Sequence, residues 1–588
     1  SIWRYCSYAA LQHRGNVRLD PLQVYRDEVV HLSSNALSEL GVSEPSFDVE
    51  VPSMEIADFA VPCFPFAKIL KKSPVNIASE AADKIPASEL ISKVWAENGY
   101  LNFQIDSGKL AEATLQEILS SGSDYGKGEK KPGKLLLEHT SVNPTGPIHI
   151  GRARNPIIGD TLARCLRACG YDVLTEYYVN DVGKQVIILT WGLEHLDKGS
   201  DDDGMDKVDH RLVGYYRKAN QMMEENPDVA AEIGQMLRKF EDGDQETIEK
   251  VRKTAKMMLD GILESLDLIN VSLDSFMWES TFIENGAAAK VVERLKASEY
   301  CKEEDGASYL ELESFGIHGR ETRFFFTRGD GTTLYTTRDV TYHLNKFSRA
   351  DRVVNILGED QKLGQAQLAI ALHLLGVDRS PECVFYSFVS LPEGKMSTRR
   401  GQVVNLDDLI EEAESRALDE VKKRRTDLSE DKMKEIAKAI GRGAVRYNML
   451  RVQPEKPLVF RWEDALNFEG NSAPFVQYAH ARACSILKKA NGYNKGIDFS
   501  ELNDTYEIKL IKTLAKFPSV IKEAGEKSRI HLIPLYAHEL AASFNLFYTY
   551  VPVLKGDNKD VRLALVDCTR VVLSNALYLM GLNAPEEM

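Results

Sequence analysis

Apolar and polar positions follow the periods of strands and helices along most of this chain. An apolar run at 135–137 precedes a loop of small residues, a helical pattern that closes at Gly170, and a strand-like run at 173–179. Strand, loop, helix and strand in this order predict a βαβ unit. The alternation continues to about residue 405 and predicts an α/β fold of the Rossmann, nucleotide-binding type. A polar, helix-rich stretch predicts a helical insertion near 200–280.

The pattern changes on both sides of this region, which predicts further domains. Residues 1–106 are expected to form a small α/β N-terminal domain, and 107–133 a helix and a linker rich in Gly and Lys. The Rossmann-type domain is expected at 134–405. A helical connector is expected at 406–450, and an all-α bundle at 451–588, where helical periodicity is almost continuous.

Composition indicates a large cytoplasmic protein. The chain has 588 residues, more than one hydrophobic core usually organises, with 43% hydrophobic and 27% charged residues. We expect no membrane association, because the longest apolar stretches are too short to span a bilayer. Eight cysteines without Cys-x-x-Cys pairs favour a reducing compartment and argue against a zinc site. We also expect a monomer.

The net charge and its distribution are weak evidence on whether this protein binds nucleic acid. The net charge is −15, which taken alone is unfavourable for binding a polyanion. From Gly441 onward, however, Lys and Arg number 19 against 16 Asp and Glu. An acidic body with a mildly basic end is compatible with RNA binding through local patches.

Two short motifs have the residues expected of an ATP site. In the first, His149-Ile-Gly151 opens the helical pattern, where a triphosphate can approach backbone N–H groups and the positive end of the helix dipole. In the second, Lys395-Met-Ser397 follows the apolar run 384–391. Each motif alone is more often fortuitous or a solvated turn. Both together, each after a strand, predict two halves of one ATP site.

With these motifs the chain resembles a class I aminoacyl-tRNA synthetase, whose "HIGH" and "KMSKS" signatures they match in part. Arg152 stands where the last histidine would be, and Thr398 where the second lysine would be. The neighbouring Arg399 and Arg400 could supply the missing charge. The resemblance implies that His149, Gly151 and Lys395 are catalytic. It implies ATP contacts by the same residues and by Arg152, Met396 and Ser397. Mg²⁺ is expected to accompany ATP, without a dedicated metal site in the protein.

A second group of residues bears on the amino acid. Asp330-Gly-Thr-Thr-Leu-Tyr335-Thr-Thr-Arg-Asp339 is typical of a turn and a short strand before a helix. If the helix begins near Thr336, Tyr335 and Asp339 lie one turn apart. A carboxylate beside a phenol suits a guanidinium, and Glu138 offers a second carboxylate. By spacing alone it is more common that Asp339 caps the helix or pairs with Arg338, and that Glu138 lies on the surface.

The wider sequence is similar to arginyl-tRNA synthetases. This resemblance implies that Glu138, Tyr335 and Asp339 hold the guanidinium and that Asn143 contacts the α-amino or carboxyl end of arginine. Asp360 or Gln361 would complete the pocket. It also implies an N-terminal domain that touches the tRNA elbow and a C-terminal anticodon-binding domain. The expected partners are tRNA(Arg), L-arginine and ATP.

Three other functions remain open at this point. A class I synthetase for cysteine would need zinc-binding cysteines, and one for glutamate would need basic groups where Glu138 and Asp339 stand. A nucleotidyltransferase with the same nucleotide fold would not need the C-terminal bundle. A non-catalytic tRNA-binding paralogue is favoured only by Arg152 and Thr398.

Overall fold

A computed structural model gives the structure. It describes residues 20–52, 56–199, 205–319, 322–392, 397–398 and 401–588, with the backbone alone at 397–398 and 401–402.

The secondary structure of these ranges is mixed. The strands are β1 (Phe59–Pro62), β2 (Ile91–Glu97), β3 (Tyr100–Ile105), β4 (Lys134–Glu138), β5 (Asp172–Val179), β6 (Ser275–Trp278), β7 (Cys301–Glu304), β8 (Ala307–Glu311), β9 (Arg323–Phe325), β10 (Arg352–Gly358), β11 (Glu382–Tyr386), β12 (Val389–Ser390), β13 (Ser397–Thr398), β14 (Gly401–Gln402) and β15 (Leu458–Val459). The helices are α1 (Pro21–Glu39), α2 (Ala67–Leu70), α3 (Pro74–Lys84), α4 (Ser107–Ser121), α5 (Arg154–Ala168), α6 (Lys184–His195), α7 (Val208–Glu225), α8 (Pro227–Glu241), α9 (Gln245–Leu268), α10 (Thr281–Glu284), α11 (Ala287–Lys296), α12 (Tyr335–Arg349), α13 (Lys362–Leu374), α14 (Leu406–Arg424), α15 (Glu430–Leu450), α16 (Trp462–Ala465), α17 (Ala473–Ala490), α18 (Thr505–Ala515), α19 (Phe517–Glu526), α20 (Leu532–Tyr550) and α21 (Lys559–Leu579).

A five-stranded parallel sheet forms the centre, in the order β11-β10-β4-β5-β6. The three leucines of β4 are buried, as a parallel strand covered on both faces requires. In chain order within the sheet the strands run 3-2-1-4-5, which is the Rossmann arrangement. The direction of winding therefore reverses between β4 and β10, and a crevice opens at their carboxyl ends. The Rossmann-type prediction is confirmed.

The polar stretch between β5 and β6 is helical, as predicted. Helices α7, α8 and α9 have a core of their own with α6, built around Ile233, Phe240 and Ile248. Side chains fix the helix starts: Asn226 accepts from the Asp228 N–H, and Asp244 from the Thr247 N–H. This insertion leaves the sheet order intact.

The two ends of the chain pack against each other. An antiparallel sheet, β1-β3-β2, carries α1 and α3 in the N-terminal part. From α17 onward the described elements are helical apart from connecting turns. Lys512 of α18 pairs with Asp58 at 2.6 Å, and the Tyr125 hydroxyl donates to the Leu514 carbonyl at 2.9 Å. The small α/β part and the all-helical C-terminal part are both confirmed.

One element was not predicted. The antiparallel sheet β7-β8-β9 lies between α11 and α12 and packs its apolar side on a separate core with Leu295, Phe324 and Phe326. Across the described ranges, no helix combines the length and apolarity that crossing a membrane demands.

Candidate active site

The candidate site lies at the carboxyl edge of the parallel sheet. Glu138 ends β4, and its register neighbours are Asn355 on β10 and Glu176 on β5. Glu138 follows three buried leucines, Asn355 follows two buried valines, and Glu176 is itself completely buried. The crevice of a Rossmann sheet forms where the winding reverses, which here is between Glu138 and Asn355.

The loop after Glu138 is strained and held by side chains. Thr140 and Ser141 both have a positive φ, 68° and 42°, a conformation costly for residues other than Gly. The Thr140 N–H donates to Asn155 Oδ1 at 2.6 Å, and Ser141 Oγ donates to Glu138 Oε1 at 2.9 Å. Helix α5, which carries Asn155, therefore fixes the loop and, through it, one oxygen of Glu138.

His149 is exposed at the start of the next turn. A 3₁₀ turn, Ile150–Arg152, precedes α5, and His149 is its N-cap. The ring Nδ1 accepts a hydrogen bond from the Gly151 N–H at 3.1 Å. In a neutral imidazole the proton must then sit on Nε2. The exposed His149 therefore keeps an N–H donor at Nε2.

The backbone donors of this turn are already engaged. Besides Gly151, Ile150 donates to the Val404 carbonyl at 2.9 Å and Arg152 to the His149 carbonyl at 2.9 Å. These N–H groups already have acceptors in this structure, so contact with a triphosphate would require them to exchange those bonds, and that contact stays a prediction. The absence of a side chain at Gly151 leaves room for the His149 ring, because an added Cβ would lie 3.3 Å from the His149 Nδ1.

Folding brings the two sequence motifs together. His149 forms a backbone bridge with Asn405, and the position of a Gly151 Cβ is 3.8 Å from the Val389 carbonyl oxygen. Val389 precedes the second motif and Asn405 follows it. Both ends of the loop that contains Lys395 are thus anchored beside the first motif. Lys395 and Met396 lie outside the described residues, and Ser397 is described by its backbone alone.

Two arginines after Gly151 reinforce this junction. The exposed Arg152 places its guanidinium 5.2 Å from the centre of the Phe388 ring. Arg154 is fully buried and donates to the carbonyls of Ser387 and Pro454, both at 3.0 Å, and of Lys456 at 2.9 Å. Burial lowers the pKa of Arg154 to about 10. The start of α5 is therefore tied to the segment that leads into the second motif.

Tyr335 and Asp339 lie on consecutive turns of α12, as predicted. The helix begins at Tyr335, and its N-cap is Leu334, which makes no side-chain cap. Asp339 therefore does not cap the helix. Arg338 pairs with Glu279 instead of Asp339. Both simpler interpretations of Asp339 are wrong. Its side chain is 37% exposed, and Tyr335 is 71% exposed.

A chain of hydrogen bonds joins Asp339 to Glu138. His343 Nδ1 lies 2.8 Å from the Asp339 carbonyl and 3.2 Å from its Oδ1. His343 Nε2 lies 2.8 Å from Asn355 Nδ2, and Asn355 Oδ1 accepts from Lys346 at 2.8 Å. Lys346 also pairs with Glu138 Oε2. Burial opposes the charge of Asp339, but His343 and Lys346 outweigh it and hold the pKa of Asp339 below its usual range. Glu138 is therefore a partly buried member of a network and not a simple surface residue.

Aromatic and ionic pairs form the wall behind this network. The rings of Tyr178 and Tyr342 stack with centres 4.3 Å apart. Tyr342 donates to Glu176 Oε1 at 2.8 Å, and Arg349 contacts both oxygens of Glu176 at 2.7 and 2.9 Å. Burial raises the pKa of the Tyr178 and Tyr342 hydroxyls well above the ordinary value. Both phenols therefore stay neutral and serve as rigid polar walls.

The remaining predicted pocket residues lie at the same edge. Asn143 is exposed in the loop after β4 and accepts a long hydrogen bond from Asn180 at 3.4 Å. Gln361 is exposed in the 3₁₀ turn Glu359–Gln361 directly after β10, where its amide donates to Asp360 at 3.2 Å. Neither contacts the network described above in the hydrogen bonds of the described residues.

Sequence reasoning missed His343, Lys346, Asn355 and Glu176. Two signals could have found them. His343 and Lys346 follow Asp339 at spacings of four and seven, which place all three on one helix face. Asn355 is flanked by apolar residues in Val-Val-Asn-Ile-Leu, Glu176 lies within the strand-like run 173–179, and a buried polar group needs a partner.

One buried group among the described residues has the composition of a metal site. Asp209, His210 and Asp407 lie close together. The Lys207 ammonium, however, is 3.0 Å from both carboxylates. The cation there is thus a lysine, and the group joins the insertion to α14.

Three family models together match most of the chain. The family model for tRNA synthetases class I (R), catalytic domain, matches residues 114–462. The DALR anticodon binding domain matches 476–588, and the arginyl tRNA synthetase N terminal domain matches 27–105.

Whole-length relatives agree with these matches. The arginine–tRNA ligase of Methanocella arvoryzae is 46% identical and covers 96% of this chain and 99% of its own length. The arginine–tRNA ligase of Methanocaldococcus jannaschii is 44% identical and covers 94% of this chain and 99% of its own length. The Thermus thermophilus arginyl-tRNA synthetase structure superposes with a TM-score of 0.80 at 29% identity, covering 96% of this chain and 100% of its own. The chain belongs to the arginyl-tRNA synthetase family of class I synthetases.

Proposed function

We propose that this protein ligates L-arginine to the 3′ end of tRNA(Arg) through an arginyl-adenylate, with release of AMP and pyrophosphate. The observation that carries the proposal is that two carboxylates, Glu138 and Asp339, are linked by hydrogen bonds at the sheet edge where the two signature motifs meet. The motifs meet there through the backbone bridge between His149 and Asn405. Carboxylates in the amino-acid pocket suit a cation and would repel an acidic amino acid.

The first step is attack of the arginine carboxylate on the α-phosphorus of ATP, with pyrophosphate leaving. No side-chain nucleophile is needed, so the protein's task is to position the reactants and stabilise phosphate charge. His149 suits this task because its ring is exposed and keeps an Nε2–H donor while Nδ1 accepts from the Gly151 N–H. Lys395 would neutralise charge that grows on the leaving pyrophosphate, and Arg152, Met396 and Ser397 would complete the ATP contacts.

The guanidinium would lie against Glu138, Tyr335 and Asp339. Asp339 has a partly exposed side chain and a depressed pKa, so it is ionised at neutral pH. Glu138 keeps free lone pairs, because each oxygen already accepts one bond and can accept another. Asn143 would contact the other end of arginine, and Gln361 would close the pocket.

Further expectations accompany this assignment. Mg²⁺ would arrive with the ATP phosphates, since Lys207 occupies the acidic group near α14. The N-terminal domain, 1–106, would contact the tRNA elbow, and the bundle, 451–588, the anticodon. Seven free thiols in the described ranges support a cytoplasmic location. The monomeric state stays a prediction.

An ATP–pyrophosphate exchange assay tests the function. Each amino acid is supplied in turn, with and without tRNA, and we expect exchange with arginine alone among them. The family resemblance further predicts that exchange is low until cognate tRNA is added, an induced-fit arrangement. Exchange with a different amino acid would contradict the arginyl assignment. Tight tRNA binding with no exchange would support the non-catalytic paralogue.

A further inference from the structure

A completely buried ammonium lies in the wall of the proposed arginine pocket. The Lys346 side chain has 0% exposure. Its Nζ contacts Glu138 Oε2, donates to Asn355 Oδ1 at 2.8 Å, and lies 4.1 Å from the centre of the Tyr342 ring. A positive charge beside a site for a guanidinium should oppose binding, and burying it is costly unless it is paired. Its presence therefore calls for a functional account.

The charges around the pocket give one. Arg349 is paired with Glu176, and Arg338 is paired with Glu279, so the two opposite charges within each pair cancel. Within the hydrogen-bonded network that links Glu138 to Asp339, the charged groups are Glu138, Asp339 and Lys346. They sum to one negative charge, which matches a single guanidinium. Without Lys346, two uncompensated carboxylates would face a monocation.

The hydrogen bonds show how Lys346 acts on both carboxylates. Ser141 and Lys346 bind different oxygens of Glu138, so its carboxylate cannot rotate. Because Asn355 Oδ1 accepts from Lys346, its Nδ2 must donate to His343 Nε2. The His343 proton then sits on Nδ1, which faces Asp339. One ammonium thus fixes the orientation of Glu138, the tautomer of His343 and the donor beside Asp339.

We propose that Lys346 is a positioning residue for arginine, which sets the net charge of the pocket and orients its two carboxylates. Lys346 does not touch the substrate, because it is sealed behind Glu138 and Tyr342. The proposal rests on the arginyl function proposed above. It assigns to a buried lysine the role of matching a two-carboxylate pocket to a ligand of charge +1.

The test compares Lys346→Met, Glu138→Gln and the double variant Glu138→Gln/Lys346→Met in arginine-dependent pyrophosphate exchange with tRNA. Lys256→Met is the control, since Lys256 pairs with Asp260 on an exposed helix face at 2.9 Å. We expect Lys346→Met to raise the KM for arginine about ten- to hundredfold, with little change in the KM for ATP. The control should match the wild type.

The double variant makes the sharper comparison. Glu138→Gln leaves the Lys346 ammonium uncompensated beside the guanidinium, whereas the double variant restores one net negative charge. The KM for arginine should therefore be lower in the double variant than in Glu138→Gln, although more has been removed. A merely structural ion pair would change the melting temperature and leave the KM for arginine alone.

Two results would overturn the proposal. One is an unchanged arginine KM in Lys346→Met, and the other is a double variant that binds arginine no better than Glu138→Gln. If Lys346→Met does not fold, the second comparison still decides. Wild-type protein without arginine-dependent exchange would instead refute the proposed function.

Discussion

Replacing Asp339 by Asn tests whether the guanidinium lies where the charges predict. Asn keeps the shape of the side chain and can still accept from His343 Nδ1, which lies 3.2 Å from Asp339 Oδ1. The substitution removes the charge and half of the acceptor pattern that a guanidinium needs. Losing charge-assisted hydrogen bonds of this kind costs about 2–4 kcal/mol, or about 30- to 1000-fold in kcat/KM. The melting temperature should change little, because Asp339 is partly exposed and does not cap α12.

The assay measures kcat/KM for arginine in tRNA-supported pyrophosphate exchange, beside the KM for ATP and the melting temperature. Asp339→Ala should cause similar damage without making lysine a good substrate, because an ammonium lacks the planar fork of donors. An unchanged kcat/KM with a lowered melting temperature would refute the reasoning. It would mean that Asp339 stabilises the helix and that arginine binds elsewhere.

Three further predictions concern the ATP loop and its support. Lys395→Ala should lower single-turnover adenylate formation by roughly 10²–10³ at saturating ATP, and a wild-type rate would contradict its role. Gly159→Ala would place a Cβ 2.3 Å from the His139 Cβ and should cost about 1–3 kcal/mol of unfolding free energy. The control Gly234→Ala, in a helix with open space, should gain about 0.5–1 kcal/mol, and equal effects would refute the packing argument. Burial lowers the pKa of His139 to about 4, so the unfolded chain, with a pKa of about 6.5, binds more protons between these values. Stability is lost as the pH falls from about 6.5 to 4, and urea unfolding of His139→Gln should show about 2 kcal/mol less loss between pH 7 and 4.5. Identical pH slopes would contradict it.

Much of the fold followed from local pattern. The apolar run of β4, the helix that closes at Gly170 and the run of β5 were readable because a buried parallel strand is continuously apolar and a covering helix is amphipathic. The sheet β7-β8-β9 was missed. Its strands are three to five residues long, which is too short for a period to emerge.

The candidate site was readable in part. His149, Glu138 and Asp339 stand in motifs, so their types and spacing carry information. The engaged N–H groups around Gly151 were not foreseen, because their acceptors include the Val404 carbonyl, which is distant in sequence. A local pattern predicts where a helix begins, but it does not show which distant carbonyl groups accept hydrogen bonds from the first N–H groups of that helix.

The sequence by itself determined the sheet-and-helix class, the helical C-terminal part, the family and the residue types of the site. These depend on periodicity and on short motifs, which are local properties. Only the tertiary structure decided that Lys346 neutralises Glu138, that His343 faces Asp339 and that Asn405 adjoins His149. Each of these depends on two segments that meet only after the sheet has formed. The charge balance and the histidine tautomer depend on these tertiary contacts, because the protonation and hydrogen bonding of a buried group are set by the partners that folding places beside it.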